Sequence, residues 1–516
     1  MHSGKITAAI LFALASSTAY AADLVEPTPP VYAPAAAAYN WTGFHVGVGA
    51  GLGGVSHNAG AEIYDYDTGG LLQVGPVDMF SVGGMLDFGG AGALGTVEAG
   101  FDYQIGSRFV LGVQGDYTWS NFEAGAGVGA DTDAGEFGLD YSLTAKSSWS
   151  VLGRAGYVNP GALTYVLGGY TRTNMEGDLS LSTPDGSTPI AEYDYERDGW
   201  TFGGGIEAPI TGGLTLKMEY RRTEWDNDSN SPSEIAGINT WDDAVVQSMR
   251  GVVSWRFGGD NAAQQAAVDA IPAVNWTGFN VGLAGGFSTL RHNAGLEAFD
   301  ETGLFALGNV GIYGLDGDLD FGGEGYLGRL EAGYDFQLGQ RFVLGAFADY
   351  TFNNAESQVG LFGDYCVEDY TSPGVGPGDD CDEGFVTASG DLTYTLETGD
   401  NWSVGGRAGV LINPQTLFYG LGAFTRQNMK ADLTLNTGFS EAPVGEILAY
   451  DYERDGWTFG LGLQTMLTDK LSTKLEYRNT RWDESEIILG DADAGLIRNE
   501  DSTVQTFTVG LSWKFN

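Results

Sequence analysis

Tyr193-Asp194-Tyr195-Glu196-Arg197-Asp198-Gly199-Trp200-Thr201-Phe202-Gly203 recurs residue for residue at Tyr450–Gly460. Eleven identical residues 257 positions apart mark a duplication, and a fixed long period bears on architecture before any local reading does. Within the stretch, Trp200, Phe202 and Ile206 alternate with Thr201, Gly203 and Glu207. A period of two puts an apolar face and a small or polar face on one strand. The question is which face meets which solvent.

A length of 516 residues leaves room for two or three domains. Glycine is very high at 81 residues and aromatics reach 12%, which excludes a disordered chain; without a Gly-X-Y period, collagen is excluded too. The formal net charge of −44 argues against nucleic acid as a partner. Two cysteines are too few for a disulfide scaffold or a four-ligand zinc site.

Lys5, the mostly apolar run Ile6–Ala15 and the small-x-small pattern Ala19-Tyr20-Ala21 predict a secretory signal, residues 1–21, cleaved after Ala21. The apolar run is too short to span a bilayer, and no later stretch approaches 18 apolar residues. Residues 22–40, rich in Ala and Pro, read as a flexible periplasmic lead. From Trp41 the chain reads as eight strands to Phe257, then a second lead over 258–275, then the same unit over 276–516. Asn275-Trp-Thr-Gly-Phe repeats Asn40-Trp-Thr-Gly-Phe, and Ser512-Trp-Lys-Phe repeats Ser254-Trp-Arg-Phe. Connections of two to four residues (Gly106-Ser107, Asn159-Pro160-Gly161, Thr211-Gly-Gly213) alternate with long polar segments such as residues 59–92. Short turns at one end and long loops at the other are the layout of a transmembrane barrel.

The non-apolar faces are mostly Gly, Ser and Thr with charges of both signs, which suits the crowded lumen of a narrow barrel, where charges must be paired. The expected lumenal charges are Glu98, Asp102, Asp116, Arg154, Arg197, Glu207, Lys217, Glu219, Arg221 and Arg250 in the first unit. Their counterparts are Glu331, Asp335, Asp349, Arg407, Arg454, Lys474, Glu476 and Arg478 in the second. Leu216, Met218 and Tyr220 are expected to face lipid. Trp41, Tyr103, Trp119, Tyr157, Trp255 and Phe257 are read as interfacial girdle residues. The Ala-Ala-Asp-Leu lead, the Pro/Ala stretch and Asn40-Trp-Thr-Gly-Phe-His-Val-Gly resemble the start of the small Gram-negative outer-membrane β-barrel family, the porin-family and opacity-type proteins. The resemblance covers both repeats. It implies an all-β, antiparallel up-and-down transmembrane barrel in the cell outer membrane. Its partners would be outer-membrane lipid, lipopolysaccharide and the barrel assembly machinery, with no cofactor and no enzymatic role.

Two architectures remain open, two tandem eight-stranded barrels or one sixteen-stranded barrel. The paired end motifs and the long link between units favour two, as a structural or surface-presenting protein with long acidic loops. One barrel would be a cation-preferring diffusion porin. Other sites carry less. Gly49-x-Gly51-x-x-Gly54 lacks the helix of a dinucleotide fingerprint. Asp316-x-Asp318-x-Asp320 begins like a calcium loop but has Phe321 and Leu327 at the positions that need Gly and Glu, which leaves at most a loose divalent-cation site. His57-Asn-Ala-Gly and His292-Asn-Ala-Gly recur at the outer rim, where the resemblance makes haem contact conceivable. Ser56 beside His57 lacks an identifiable carboxylate for catalysis. Finally, Cys366 and Cys381 lie in a loop with eight acids and no Lys or Arg, and export favours their disulfide.

Overall fold

The computed structural model describes residues 39–64, 72–74, 77–79, 81–132, 135–225, 238–257, 259–300, 305–307, 310–368, 385–436, 445–482, 485–490 and 494–515. The expected signal segment and Cys381 fall outside them.

The first unit consists of β1 (Gly43–Tyr64), β2 (Ser81–Ile105), β3 (Phe109–Thr132), β4 (Gly135–Val158), β5 (Leu163–Thr183), β6 (Gly186–Thr211), β7 (Leu214–Trp225) and β8 (Ile238–Arg256). Every neighbouring pair is antiparallel, and β8 returns to β1 over the whole length from Arg256↔His45 to Ile238↔Ile63. Eight strands therefore close on themselves. The second unit does the same with β9 (Gly278–Asp300), β10 (Val310–Leu338), β11 (Phe342–Asn353), its continuation β12 (Ala355–Glu368), β13 (Phe385–Asn413), β14 (Thr416–Asn436), β15 (Gly445–Met466), β16 (Leu471–Trp482) and β17 (Ala494–Phe515). Here Phe279↔Phe515 begins the closing seam of β9 and β17. Closure leaves no unpaired backbone edge, which lipid would not tolerate.

The strands outrun the sequence reading. Much of the polar segment 59–92 is strand, because β1 and β2 stay paired as far as Tyr64↔Ser81. Polar, glycine-rich sequence can extend a hairpin beyond the bilayer because water replaces lipid there. The second lead contains α1 (Asn261–Asp269), where the sequence reads as flexible. Asp260 caps it by accepting from Ala262 N at 2.9 Å, the usual side-chain remedy for a free helix N–H. The helix seats against the short-turn end of the first unit: Gln264 Nε2 donates to Asn40 O at 2.7 Å, and Gly212 N donates to Gln265 Oε1 at 2.9 Å.

The outward face carries two aromatic belts. Tyr103, Phe109, Tyr157, Trp255 and Phe257 are exposed near the short turns, and Tyr117, Trp119, Trp149 and Trp200 are exposed farther along the same strands. Trp41 does not join them. It is 1% exposed and packs inside the short-turn end with Arg256 4.7 Å over its ring. The alternation of buried and less buried residues runs from Tyr39 to Val46 and puts Trp41 on the inward parity of Gly43 and His45; reading it as a girdle residue followed from its place at a strand end rather than from its parity.

A second correction concerns β7. Met218 and Tyr220 meet protein rather than lipid, in a buried cluster with Ile206, Leu463, Leu475, Tyr477 and Phe507, and Leu216 beside them is half-buried. The outer wall of one barrel is packed on the outer wall of the other. Polar contacts reinforce the seam: Arg222 Nη1 lies 2.5 Å from Glu324 Oε2, and Asn413 Nδ2 donates to Gly161 O at 2.8 Å.

Beyond the upper belt the two sheets exchange partners. β2 and β3 pair from Ile105↔Phe109 out to Ala91↔Glu123 and then part. Past that point β2 pairs with β12 (Leu86↔Val359), and β3 pairs with β10 (Ala126↔Leu319). Following partners across these two seams passes through sixteen strands before returning to β1, counting β11 and β12 as one. The exchange cannot descend to the short turns. The turn at Gly106–Arg108 holds β2 and β3 side by side, and Gly339–Arg341 does the same for β10 and β11. Each of Gly106 and Gly339 has φ +63°, a left-handed turn conformation that glycine adopts freely. The structure thus has two eight-stranded barrels between the belts and a joined sheet beyond them.

This span is testable. Val113 is exposed midway between the belts, and Ser180 lies beyond them on the outward face, opposite Asp140. Val113→Arg should cost about 2–4 kcal/mol in urea unfolding from vesicles, while Ser180→Arg should change stability by less than about 0.5 kcal/mol. Equal costs would mean the bilayer has been placed wrongly.

Candidate functional site

Alternation aims one side chain in two at the inside of each ring, and there the first unit stacks three kinds of layer. Nearest the short turns, Trp41, Val110, Leu152 and Leu163 form an apolar layer, with α1 residues Ala267 and Val268 beneath it. At the other end Val55, Leu94, Phe122, Met175 and Trp225 form a second apolar layer. Between them lie ion pairs. Arg154 binds Asp102 through two nitrogens, with Nε–Oδ1 at 2.7 Å, and reaches Glu207 at 3.0 Å. Arg256 contacts Asp102 at 2.8 Å and Glu207 at 2.9 Å. Lys217 Nζ is 2.6 Å from Glu98 and 3.5 Å from Glu219. Arg221 joins Glu219 at 2.6 Å and Asp116 at 2.7 Å, and Arg250 stands 3.6 Å from Asp116. Five cations face five carboxylates, all at most 8% exposed. Arg197 lies higher, 5.6 Å over the Trp225 ring.

The second unit repeats the plan. Lys474 is 2.6 Å from Glu331, Arg478 is 2.7 Å from both Glu476 and Asp349, and Arg407 Nε is 2.9 Å from Asp335. Arg454 sits higher and donates to Ser502 Oγ at 2.9 Å. Its apolar layers contain Trp276, Val343, Leu417 and Met466 at one end, and Leu290, Leu396, Met429 and Trp482 at the other. The layer differs at four places: Arg250 and Thr96 of the first unit correspond to Thr508 and Arg329, Lys514 stands where the first unit has Arg256 and keeps the cation, and Gln464 stands where it has Glu207. Arg407 accordingly meets the Gln464 amide oxygen at 3.2 Å instead of a carboxylate.

Four contributors escaped the sequence reading. Arg256 and Arg329 alternate with outward Trp255 and Leu330, so the signal was present; Arg329 reaches Glu476 at 3.0 Å. Tyr165 and Tyr419 donate to Glu219 at 2.6 Å and Glu476 at 2.5 Å, and no pattern distinguishes such an inward Tyr from a girdle Tyr. A cavity of about 30 Å³ survives between the charges and the upper apolar layer, lined by hydroxyls such as Thr118, Ser150 and Thr171. That is room for a water molecule.

The histidines sit at the strand exchange. His57 is paired across the sheet with Phe88, their rings 4.8 Å apart and 8° from parallel; His292 and Phe321 occupy the equivalent places. Both histidines are buried rather than presented at a rim. The motif His-Asn-Ala-Gly lies opposite a second repeat that the sequence reading passed over, Leu86-Asp-Phe-Gly-Gly90 and Leu319-Asp-Phe-Gly-Gly323. Four strands converge at these glycines. A Cβ on Gly90 would stand 1.5 Å from Glu123 O, and one on Gly322 would stand 2.2 Å from Gly89 N. Asp87 accepts from Asn58 Nδ2 at 2.5 Å and from the Gln358 backbone N–H of the other unit at 2.8 Å. Asp320 accepts from Arg291 and Asn293; the side chains of Asp316 and Asp318 lie outside the described residues, as does that of Cys366.

A family model for the outer membrane protein beta-barrel domain matches the chain twice, over residues 30–257 and 260–515. The chain belongs to that family. It is 30% identical over 225 residues to the 31 kDa outer-membrane immunogenic protein of Brucella melitensis, covering 43% of this chain and 86% of that one. It is 28% identical over 247 residues to the 25 kDa outer-membrane immunogenic protein of Brucella canis, covering 47% and 92%. Each relative thus corresponds to about one of the two units. Among solved structures, a FadL homologue of Pseudomonas aeruginosa aligns over 92% of this chain and 91% of its own at 13% identity, with a TM-score of 0.23 that carries no further inference. The protein resides in the cell outer membrane, with the exposed apolar band between its aromatic belts facing lipid.

Two predictions follow from this geometry. Glu219→Gln leaves Lys217 and Arg221 short of a buried carboxylate and should cost about 3–5 kcal/mol in urea unfolding, whereas Thr215→Ser, which keeps the hydroxyl bonded to Glu207 at 2.8 Å, should be near silent. Asp87 lies eight residues along β2 beyond Gly95, the partner of the belt residue Trp119, and so stands outside the bilayer. Burial, then Glu356 and Glu324, push its carboxyl up to about 6, against the opposing effect of the Asn58 and Gln358 hydrogen bonds. A carboxyl raised on folding stabilises most when protonated. Its contribution is complete below the ordinary value of 3.8 and is lost as pH rises through about 6. Amides of Val359–Phe362 should therefore exchange hydrogen more slowly, after correction for intrinsic rate, at pH 5 than at pH 7.5. Asp87→Asn should erase the difference, and pH-independent protection in the parent protein would refute the linkage.

Proposed function

We propose that the protein is a non-conducting surface barrel that anchors and presents an extended acidic sheet outside the cell. The observation that carries this reading is that each lumen is filled: two apolar layers bracket a charge cluster whose members are mutually paired. An eight-stranded interior is narrow enough for side chains to fill. A sixteen-stranded channel through the membrane, the alternative that the duplication suggests, is opposed by the tight turns at Gly106 and Gly339. Surface presentation is supported by the relatives named immunogenic outer-membrane proteins. Outer-membrane lipid and lipopolysaccharide would surround the aromatic belts, and the barrel assembly machinery would insert the chain. We assign no enzymatic role.

Planar-bilayer recording of the refolded full-length protein tests this reading. The expected trace shows no stable porin-sized steps. Such steps, blocked when the lumen is filled further by Leu152→Trp or Leu417→Trp, would overturn it.

A further inference from the structure

The inner face of the joined sheet, beyond the sealed lumens, continues as apolar side chains that no described residue covers. In the first unit Val128, Leu139 and Leu181 are successive cross-strand partners, on the same face as buried Phe122, Ala145 and Met175. In the second, Leu361, Leu392 and Leu435 are successive partners, on the same face as Leu396 and Met429. All six are exposed, Val128 by 62% and Leu361 by 63%. The strand exchange joins the two walls: Leu86 of β2 lies opposite Val359, and Leu319 of β10 lies opposite Ala126. An apolar face turned inward above the bilayer is neither lipid-covered nor packed core, and contiguous exposed apolar surface marks binding sites.

Charge selects the occupant. The outward face of the same strands carries Glu136, Asp140, Glu176 and Asp178, and the whole chain is −44. A strongly negative surface raises the local concentration of cations and repels anions. The inner face adds tyrosines. Tyr141 and Tyr193 hydroxyls lie 3.0 Å apart, and the rings of Tyr193 and Tyr195 stack 5.9 Å apart. Tyrosine faces attract ammonium groups, more strongly where water is reduced. We propose that the space inside the joined sheet is a binding chamber for small cationic amphiphiles, their apolar bodies on the leucine rows and their ammonium groups against the tyrosines. The chamber holds its ligand above plugged lumens, and its occupancy is read separately from conductance.

Full-length protein in phosphatidylcholine vesicles can be titrated with dansylcadaverine, which is cationic and apolar, and with anionic dansylglycine, against protein-free vesicles. The expected result is saturable, blue-shifted dansylcadaverine fluorescence beyond the vesicle background, with dansylglycine bound at least about tenfold more weakly. Leu139→Asn combined with Leu392→Asn should weaken dansylcadaverine about tenfold or more, since each sets an unpaired amide against the ligand's apolar body without adding a charge that its ammonium could pair with. Leu361→Asn serves if the double variant loses its heat-modifiable folded band. Equal binding of the two dyes, equal binding by parent and variant, or no binding above vesicles because the chain's own loops occupy the space would each overturn the proposal.

Discussion

Lipid cannot hydrogen-bond a peptide group, and everything else in this molecule is arranged around that fact. Between the aromatic belts every strand must have two partners, so each unit closes at eight. Once closed at that number, the interior has room for side chains and little else. Small residues and paired charges then follow from crowding. Outside the bilayer water can satisfy a free edge, the constraint relaxes, and the same strands take partners from the other unit.

The ion pairs show how strict the inner environment is. In the second unit the cation of Arg250 is lost to Thr508 while Arg329 appears in place of Thr96, so one cation is exchanged for another within the layer. Gln464 replaces Glu207, and Lys514 in place of Arg256 remains a cation and donates to the backbone carbonyl of Asn275, while Arg407 keeps Asp335 and an amide oxygen. A buried cation that loses its carboxylate must find another acceptor. The duplicated halves therefore drift in this layer only where each cation keeps an acceptor.

Much of this was legible in the chain. The repeat of Tyr193–Gly203, the two-residue alternation and the unequal connections identified paired barrels, and the inward parity of Lys217, Glu219 and Arg221 placed their side chains. What periodicity could not convey was the neighbour on the far side of a face. Met218 and Tyr220 read as lipid-facing because a second protein wall and an acyl chain both select apolar side chains. Trp41 read as a belt residue because aromatics at strand ends usually mark the interface, although its parity with His45 points inward. The strand exchange left only the glycine pairs of Leu-Asp-Phe-Gly-Gly as its trace, and their meaning depends on four strands that sequence does not bring together.

That exchange also bears on how such a chain comes to exist in a membrane. Tandem domains are commonly pictured as beads, each completed before the next emerges. Here the outer third of β3 has no final neighbour until β10 arrives, 180 to 193 residues later in the chain, and that of β2 none until β12, 273 to 279 residues later. The first ring can be sealed in lipid while its upper rim waits unfinished. The two halves thus complete each other outside the membrane, and the covalent link between them keeps each beside its own counterpart.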